Sequence, residues 1–411
     1  MAYTGRGRFA RAGWLAAPAA SLAALLACAA CESSQPPGRS AAAAGEPSAA
    51  DCDKIAQVPA PSGKSPVALV VDNTASQIGH PLPDALIGKL RAAQQAGSPL
   101  VIVAVDGANS SVVRTAALDP GPGKDSPAAD NARAEALLCV GRWAHATETL
   151  PKHPGSDVLD ALNAASRQHP TEIYAVSDGL GNAGAFNLND IGFDAEPQEL
   201  ATSLRDAKAL APTLSNSKIF WYELGESAKP LPQAARTSLQ ELWQALLKSV
   251  GGTVTFDPAV SGGVTPPSGR PADDVTIPDL ATVTSGCHTK ITVPAALLFR
   301  PGSADLQPDA AEVLKGVADQ LTGHPDWTGT ITGHTADYGT ATGRRQLSTQ
   351  RAEAVRESLA AAGIDRSRLA ADGVGATDPA VPEIVGGRHE LAAAAKNRRV
   401  VIEIGPGGCP S

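Results

Sequence analysis

The sequence predicts an α/β protein with two folded regions: a doubly wound, mostly parallel sheet and a smaller mixed α/β unit. In the first region, short apolar runs alternate with amphipathic segments, which is the order of a parallel sheet covered by helices on both faces. The second region follows a stretch rich in Pro, Gly and Ser and contains fewer elements. With 411 residues, 43% of them hydrophobic, the chain can bury more than one core.

Four apolar runs of the first region have the length of buried strands. They are Val67–Val71, Leu100–Val105, Ile173–Val176 and Ile219–Leu224. Between them, apolar residues recur at helical spacing, as at Leu86 and Leu90 or at Leu159 and Leu162, and later from Leu239 to Val250. This alternation predicts parallel strands joined by helices.

The second region contains fewer elements of both kinds. Strands are predicted at Ile291–Phe299, Thr328–Thr332 and Val400–Ile404, and helices at Ala310–Leu321 and Gln346–Ala362. Two segments without hydrophobic periodicity separate the folded parts. The predicted division is therefore 1–31 signal peptide, 32–61 flexible tether, 62–260 first domain, 261–284 linker and 285–411 second domain.

The N-terminus has the pattern of an export signal. Arg6, Arg8 and Arg11 precede an apolar run, Trp14–Ala30, that is short for a membrane span. Leu25-Leu26-Ala27-Cys28 resembles a bacterial lipobox, which implies acylation at Cys28; Cys31 is the alternative site. We expect a cell-envelope protein anchored to the membrane by lipid, to the outer membrane if the organism has one. An ordinary cleaved signal peptide is the alternative.

Charge and aromatic content argue against nucleic acid as a partner. The net charge is −8, whereas phosphate binding requires clustered Lys and Arg. Aromatic residues make up only 4% of the chain, which leaves few surfaces for stacking bases.

Four cysteines remain outside the signal, and an exported protein favours disulfides between them. Cys287 and Cys409 bracket the second domain, while Cys52 and Cys139 lie in or beside the first. These positions favour the pairs Cys52–Cys139 and Cys287–Cys409, although four cysteines permit three pairings.

One helix of the second region carries a charged residue on its apolar side. Arg351 lies between Leu347 and Val355, and a guanidinium there requires an anionic partner. The preceding loop, Gly333–Gly339, offers hydroxyl groups and Asp337. Loop and helix can thus form one polar pocket.

Three motifs, in order, carry a resemblance to the OmpA-like peptidoglycan-binding family. They are Gly333-His334-Thr335, Leu347-Ser348-Thr349-Gln350-Arg351-Ala352 and Asn397-Arg398-Arg399-Val400. The resemblance implies noncovalent binding of the peptidoglycan stem peptide, with an acidic loop residue and a helical Arg holding diaminopimelate. The implied binding residues are Asp337, Arg351, Thr335 and Arg399.

Two positions depart from the family pattern. Ala336 stands where the family usually has Asp, so that Asp337 comes one place late, and Arg344 replaces the usual Asn. The alternative role for Arg351 is a salt bridge to Asp337 that only fixes the loop.

The ends of two predicted strands in the first region carry oxygen ligands. Asp72, Thr74 and Ser76 follow the first strand, Asp178 follows the third, and Ser156 begins a helix. The carboxyl ends of parallel strands meet at one sheet edge, so two carboxylates and three hydroxyls converge there. Such a hard oxygen site suits Mg²⁺ or Mn²⁺.

This Asp-x-Thr-x-Ser pattern with a later Ser and Asp-Gly resembles the metal ion-dependent adhesion site of the von Willebrand factor A family. The resemblance implies that these five residues hold the ion and leave one position for a partner protein's carboxylate. The alternative is a metal-free site whose hydroxyls cap turns and helices.

The function favoured by the sequence is therefore a lipoprotein that binds peptidoglycan with one domain and an unknown protein partner, through a metal, with the other. No nucleophile and base stand together, so we expect no enzymatic activity. The alternative is a peptidoglycan-tethered cell-wall hydrolase with a metal held by Asp72 and Asp178. A motor or transporter stator would need a charged membrane helix, which the sequence does not show.

Overall fold

The apolar runs of the N-terminal half form a six-stranded sheet in the computed structural model, which describes residues 47–77, 81–121, 123, 125–257, 275–276 and 279–407. The strands are β1 (Val67–Val71), β2 (Pro99–Ala104), β3 (Ser111–Ala117), β4 (Ile173–Val176), β5 (Lys218–Tyr222) and β6 (Thr253–Asp257). In space they follow the order β3-β2-β1-β4-β5-β6, and only β3 pairs antiparallel. The predicted mostly parallel sheet is confirmed.

Helices cover both faces of this sheet. They are α1 (Ala49–Ala56), α2 (Asp84–Gln95), α3 (Pro127–Ala144), α4 (Val158–Ser166), α5 (Leu188–Ile191), α6 (Pro197–Asp206) and α7 (Gln233–Ser249). Each face of the sheet has its own apolar core, and successive residues of β1 point into opposite cores. Val70 packs with α4 and α7, whereas Leu69 packs with α2 and α3. Asp157 caps α4 by accepting a hydrogen bond from the backbone N–H of Asp160.

The two edge strands of this sheet are absent from the sequence prediction. β3 and β6 each have one neighbour, and most of their residues remain partly or fully exposed. An edge strand has no need of a continuous apolar run, so its sequence lacks the signal that marks the four inner strands.

The end of the predicted flexible tether, 32–61, forms a helix instead. α1 packs against α3, and a disulfide joins Cys52 to Cys139 with 5.3 Å between their Cα atoms. This predicted pair is confirmed. The residues around Ala49 are small and polar, so they show no helical periodicity. The helix is stabilised by its contacts with α3 and by the disulfide. Cys409, the predicted partner of Cys287, lies outside the described residues, as do Cys28 and Cys31.

The C-terminal half is a mixed α/β unit. Its elements are β7 (Ala281–Ser285), β8 (His288–Pro294), α8 (Ala310–Gly323), β9 (Trp327–His334), α9 (Ala341–Ala361), β10 (Leu369–Gly375), β11 (Ile384–Val385), β12 (Arg388–His389), α10 (Leu391–Asn397) and β13 (Arg399–Pro406). Five strands form a sheet in the order β10-β9-β13-β8-β7, and β11 with β12 forms a separate hairpin.

Two predicted boundaries differ from those observed. The strand predicted over Ile291–Phe299 ends at Pro294, because a 3-10 turn at Ala295–Leu297 follows. The predicted linker, 261–284, contains most of β7, which pairs with β8. β7 has exposed side chains on both faces and therefore no periodicity to predict it.

The two halves contact each other directly. Ala296 of the C-terminal half is buried in the apolar cluster beneath α7. The side-chain amide of Gln307 donates to the Ser238 hydroxyl on α7 at 3.2 Å. The described residues all belong to one compact unit, 46–411.

Candidate functional site

Close packing of α9 on the C-terminal sheet creates a pocket at the Gly333–Gly339 loop. A Cβ on Gly333 of β9 would overlap the Ser348 carbonyl, and one on Gly373 of β10 would overlap the Thr349 amide. The Ser348 hydroxyl accepts a hydrogen bond from the Gly375 amide at 2.9 Å. Two glycines and one serine thus let the helix lie directly on the strands, and Arg351, one turn later, comes beside the loop.

Arg351 is fully enclosed yet incompletely bonded. Its side chain is 1% exposed, its Nε donates to the Ser303 carbonyl at 2.8 Å, and its guanidinium lies 5.1 Å from the centre of the Phe299 ring. Among the residues that the structure describes, Nη1 has no hydrogen-bond partner. Burial lowers the pKa of this guanidinium to about 10, so it is charged at neutral pH.

The loop residues are placed differently from the sequence expectation. The Asp337 carboxylate pairs with Arg344 at 2.7 Å rather than with Arg351, whereas Ala336 lines the pocket. The predicted alternative of an Arg351–Asp337 salt bridge is therefore wrong. The two departures from the family pattern therefore contact each other: Asp337, which comes one place late, forms an ion pair with Arg344, which replaces the usual Asn. Thr335 also lines the pocket, and its buried hydroxyl has no hydrogen-bond partner in the described part of the chain.

Arg399 and His334 lie behind the pocket and are not among its lining residues. Arg399 donates to the Asp378 carbonyl at 3.0 Å and to the Asn397 carbonyl at 3.3 Å. His334 is 3% exposed, and burial together with the nearby Arg399 charge lowers its pKa to about 4. His334 is therefore neutral at physiological pH and acts as a structural residue.

Three acidic residues of the N-terminal half form the other wall of the pocket. We call Asp194, Glu196 and Glu199 the acidic wall; they lie between α5 and the first turn of α6 and line the pocket together with Arg351 and Arg398. Burial raises the pKa of Glu196, and the charges of Arg351 and Arg398 oppose that rise. Sequence reasoning missed this wall, although the segment is visible as a long polar insertion after β4.

Arg398 links the halves through the acidic wall. Its Nε donates to the Asp194 carboxylate at 3.0 Å and its Nη2 donates to the Ile191 carbonyl at 2.7 Å. Glu199 lies 3.8 Å from Nη1 of the same guanidinium. Arg398 belongs to the third family motif, yet here it contacts the N-terminal half.

A buried acid–histidine cluster adjoins this link. Glu199, Glu383 and His389 each offer a ligand atom, and these atoms lie within 4.8 Å of one another. Nε2 of His389 is 2.5 Å from Glu383 and Nδ1 is 3.1 Å from Glu199. Glu383 also accepts hydrogen bonds from the Asp337 amide and from the Asn397 side chain. Each ring nitrogen of His389 therefore faces one carboxylate of the cluster.

The second cluster lies at the carboxyl edge of the N-terminal sheet. Asp72 follows β1 and accepts hydrogen bonds from the hydroxyls of Thr74 at 2.5 Å, Ser156 at 3.3 Å and Ser177 at 2.6 Å. Asp178 follows β4, the strand beside β1. The structure thus brings Asp72, Thr74 and Ser156 into contact and places Asp178 on the same edge. Ser76, the partly exposed member, accepts a backbone hydrogen bond from Ala228.

Sequence reasoning missed three members of this cluster. Ser177 donates directly to Asp72, whereas Gln77 accepts from the Asp178 amide and donates to Glu223. Burial raises the pKa of Glu223 to about 7. The Ser-Asp-Gly order after β4 could have revealed Ser177, but Glu223, beyond β5, comes close only through the fold.

The insertion after β4 covers part of this cluster. The Asn182 side chain accepts a hydrogen bond from the Ser156 amide at 2.7 Å, and Ser156 and Asp178 are completely buried. The donor set of carboxylates and hydroxyls has the chemistry of a hard-cation site. A partner's carboxylate would reach it only after this cover moves.

Comparison with known proteins assigns the C-terminal region. Residues 298–390 match the OmpA family. Residues 298–390 are therefore an OmpA-like domain. The chain is 32% identical over 122 residues to the probable lipoprotein YiaD of Escherichia coli K12, a match that covers 30% of this chain and 53% of YiaD.

Two further comparisons involve the same region. Over 112 residues the chain is 38% identical to the peptidoglycan-binding protein ArfA of Mycobacterium tuberculosis H37Rv, covering 26% of this chain and 32% of ArfA. The solved cell wall anchor of the T6SS from Pseudomonas aeruginosa is 27% identical, with 31% of this chain and 87% of that chain covered and a TM-score of 0.28. The OmpA-like match thus spans about half of YiaD and about a third of ArfA.

Among the described residues, no helix combines the length and the apolar character needed to cross a membrane.

Proposed function

We propose that this chain is a lipid-anchored cell-envelope protein, without enzymatic activity, whose OmpA-like domain binds the peptidoglycan stem peptide noncovalently. The observation that carries the proposal is Arg351, a buried cation with an unpartnered Nη1 in a pocket next to the Gly333–Gly339 loop. ArfA, one of its relatives, is named as a peptidoglycan-binding protein.

The pocket residues would divide the recognition between them. The Arg351 guanidinium would bind a carboxylate of the stem peptide, because its enclosed Nη1 gains a charge-assisted hydrogen bond from an ionic partner. The Thr335 hydroxyl would add a hydrogen bond at the same loop. Arg399 would hold the segment after β10 in place beside the pocket's loop, through the Asp378 carbonyl. Asp337, already paired with Arg344, would act on the shape of the loop.

Pull-down of the full chain on purified, insoluble peptidoglycan tests the proposal. Arg351→Ala removes charge-assisted hydrogen bonds of about 1.5–3 kcal/mol, so binding falls roughly 10- to 100-fold. Arg345→Ala, on the same helix with an exposed ion pair to Asp372, is the matched control and leaves binding unchanged. Asp337→Ala weakens binding less than Arg351→Ala does. Equal binding by wild type and Arg351→Ala would show that the Arg351 pocket does not bind peptidoglycan.

The lipid anchor is a separate part of the proposal. It rests on the lipobox-like sequence before Cys28 and on the lipoprotein relative. Metabolic labelling with a fatty acid analogue is expected to mark the wild type and Cys31→Ala but not Cys28→Ala. Label retained in Cys28→Ala and lost in Cys31→Ala would assign the anchor to the second cysteine.

For the N-terminal half we propose a von Willebrand factor A-like domain that binds a protein partner through Mg²⁺ or Mn²⁺. The order of its sheet and the contacts of Asp72 with three hydroxyls support this proposal. Asp72, Thr74, Ser76, Ser156 and Asp178 would hold the ion, which would supply a positive charge for a partner's carboxylate.

Binding of Mn²⁺ by the full chain, followed by electron paramagnetic resonance, tests this part. We expect one bound ion in the wild type and a loss of affinity of at least about tenfold in Asp72→Asn, since a carboxylate ligand is removed. Asp84→Asn, at the exposed start of α2, is the control. Unchanged Mn²⁺ binding in Asp72→Asn would favour the metal-free alternative.

A further inference from the structure

The Arg351 pocket is too small for its proposed ligand while the acidic wall is in place. Its volume is about 120 Å³. Pockets that enclose small-molecule ligands have volumes of about 300–1,000 Å³. A stem peptide attached to a glycan strand therefore requires the pocket to open.

The acidic wall also presents the chemical groups that the pocket would bind in a ligand. Glu196 and Asp194 are carboxylates whose charges act on Arg351. Among the residues that the structure describes, none forms an ion pair with Arg351, so its Nη1 is enclosed but unsatisfied. Glu196 packs directly against Gly302, in the loop that supplies the Ser303 carbonyl to Arg351.

We propose that segment Ile191–Glu199 of the N-terminal half is a built-in competitor of peptidoglycan, which closes the stem-peptide pocket until the two halves separate there. This inference rests on the proposed function of the pocket and adds its regulation. Binding of peptidoglycan would then release the N-terminal half. Conversely, a partner that pulls on the N-terminal half would open the peptidoglycan-binding pocket. By linkage, each event favours the other.

Arg398 determines how firmly the pocket is closed. In the closed form this guanidinium is bound by Asp194 and by the Ile191 carbonyl, both on the competing segment. The apparent affinity for peptidoglycan equals the intrinsic affinity reduced by the fraction of open molecules. Removing the negative charges of the segment raises that fraction and therefore strengthens binding.

Titration of the full chain against purified peptidoglycan tests the inference. Asp194→Asn/Glu196→Gln is expected to bind at least about tenfold more tightly than wild type. The control Asp206→Asn removes an exposed charge from the same half, away from the pocket, and leaves affinity unchanged. Adding Arg351→Ala to the double variant is expected to abolish the gain. Thermal unfolding checks that each variant is folded.

The outcomes separate this inference from the proposed function. If wild type binds through Arg351 and the double variant binds equally or more weakly, the acids complete the pocket rather than compete, and only the inference fails. If neither protein binds, the proposed function fails and the inference with it. Binding by the double variant alone, dependent on Arg351, supports both.

A disulfide that locks the closed form gives a second test. A Cβ on Gly192 would lie 3.3 Å from the Ala395 Cβ on α10, close to the spacing of a disulfide, but also 3.0 Å from Asp194 Oδ1 at a φ of +73°. The reduced double-cysteine variant carries the same strain and is therefore the reference for the oxidised form. Gly192→Cys/Ala395→Cys is expected to bind peptidoglycan at least about tenfold more weakly when oxidised than when reduced. Wild type with and without reductant controls for the native disulfide. Equal binding by the oxidised and reduced forms would overturn the inference.

Discussion

Replacing Arg398 with Ala should greatly weaken the junction between the two halves. Its side chain is 5% exposed and that of its partner Asp194 is 4% exposed. The substitution leaves a buried carboxylate without its cation, a change that typically destabilises a protein by about 3–5 kcal/mol. It also leaves the Ile191 carbonyl without its donor, which adds about 1 kcal/mol.

Urea unfolding at pH 7, followed by tryptophan fluorescence, measures this loss. The expected decrease in the free energy of unfolding for Arg398→Ala is about 4–6 kcal/mol. Arg345→Ala is the matched control, because its ion pair with Asp372 is solvent-exposed and contributes less than about 1 kcal/mol. Because the pair joins the halves, the loss should appear in the transition that separates them.

A double-mutant cycle then isolates the ion pair itself. Asp194→Ala alone leaves a buried arginine, and the double variant removes both charges, so the double loss should fall short of the summed single losses by at least about 2 kcal/mol. Two results would refute the reasoning: a loss in Arg398→Ala no larger than in Arg345→Ala, or additivity within about 0.5 kcal/mol.

Three further predictions concern stability. Gly333→Ala places a methyl group against the Ser348 carbonyl and should lower the free energy of unfolding by about 3 kcal/mol or more, measured by urea unfolding. Cys52→Ala/Cys139→Ala opens a link between residues 87 positions apart and should cost about 2–5 kcal/mol, seen as a lower melting temperature. Glu223→Gln should stabilise the protein at pH 8 by up to about 3 kcal/mol but far less at pH 5. Burial raises the pKa of Glu223 to about 7, so the folded state binds this proton more tightly and its contribution to stability is lost as pH rises through 7. An identical pH dependence of stability in wild type and Glu223→Gln would contradict this.

The sequence was sufficient wherever one local pattern carried one structural feature. Val67–Val71 and Ile173–Val176 are buried on both faces, so their apolar runs marked β1 and β4 to the residue. Because parallel strands end at the same edge, the convergence of Asp72 and Asp178 followed from the order of elements. The buried position of Arg351 likewise followed from its place on the apolar side of a helix.

Elements with little local signal required the tertiary structure. β3, β6 and β7 lie at sheet edges, where half-exposed residues need no apolar pattern. α1 is fixed by a disulfide to a helix 87 residues away. The partner of Asp337 depended on which way the loop turns, and a shift of one residue directed the carboxylate towards Arg344.

Local sequence patterns were enough to predict the fold class, the inner strands and the two clusters of polar residues. What faces the Arg351 pocket depends instead on how the two halves pack together. Arg398 and Asp194 are 204 residues apart in the chain, and no periodicity or motif joins them. Their contact exists because two separately patterned halves pack together, and burial between those halves makes the loss of either charge costly.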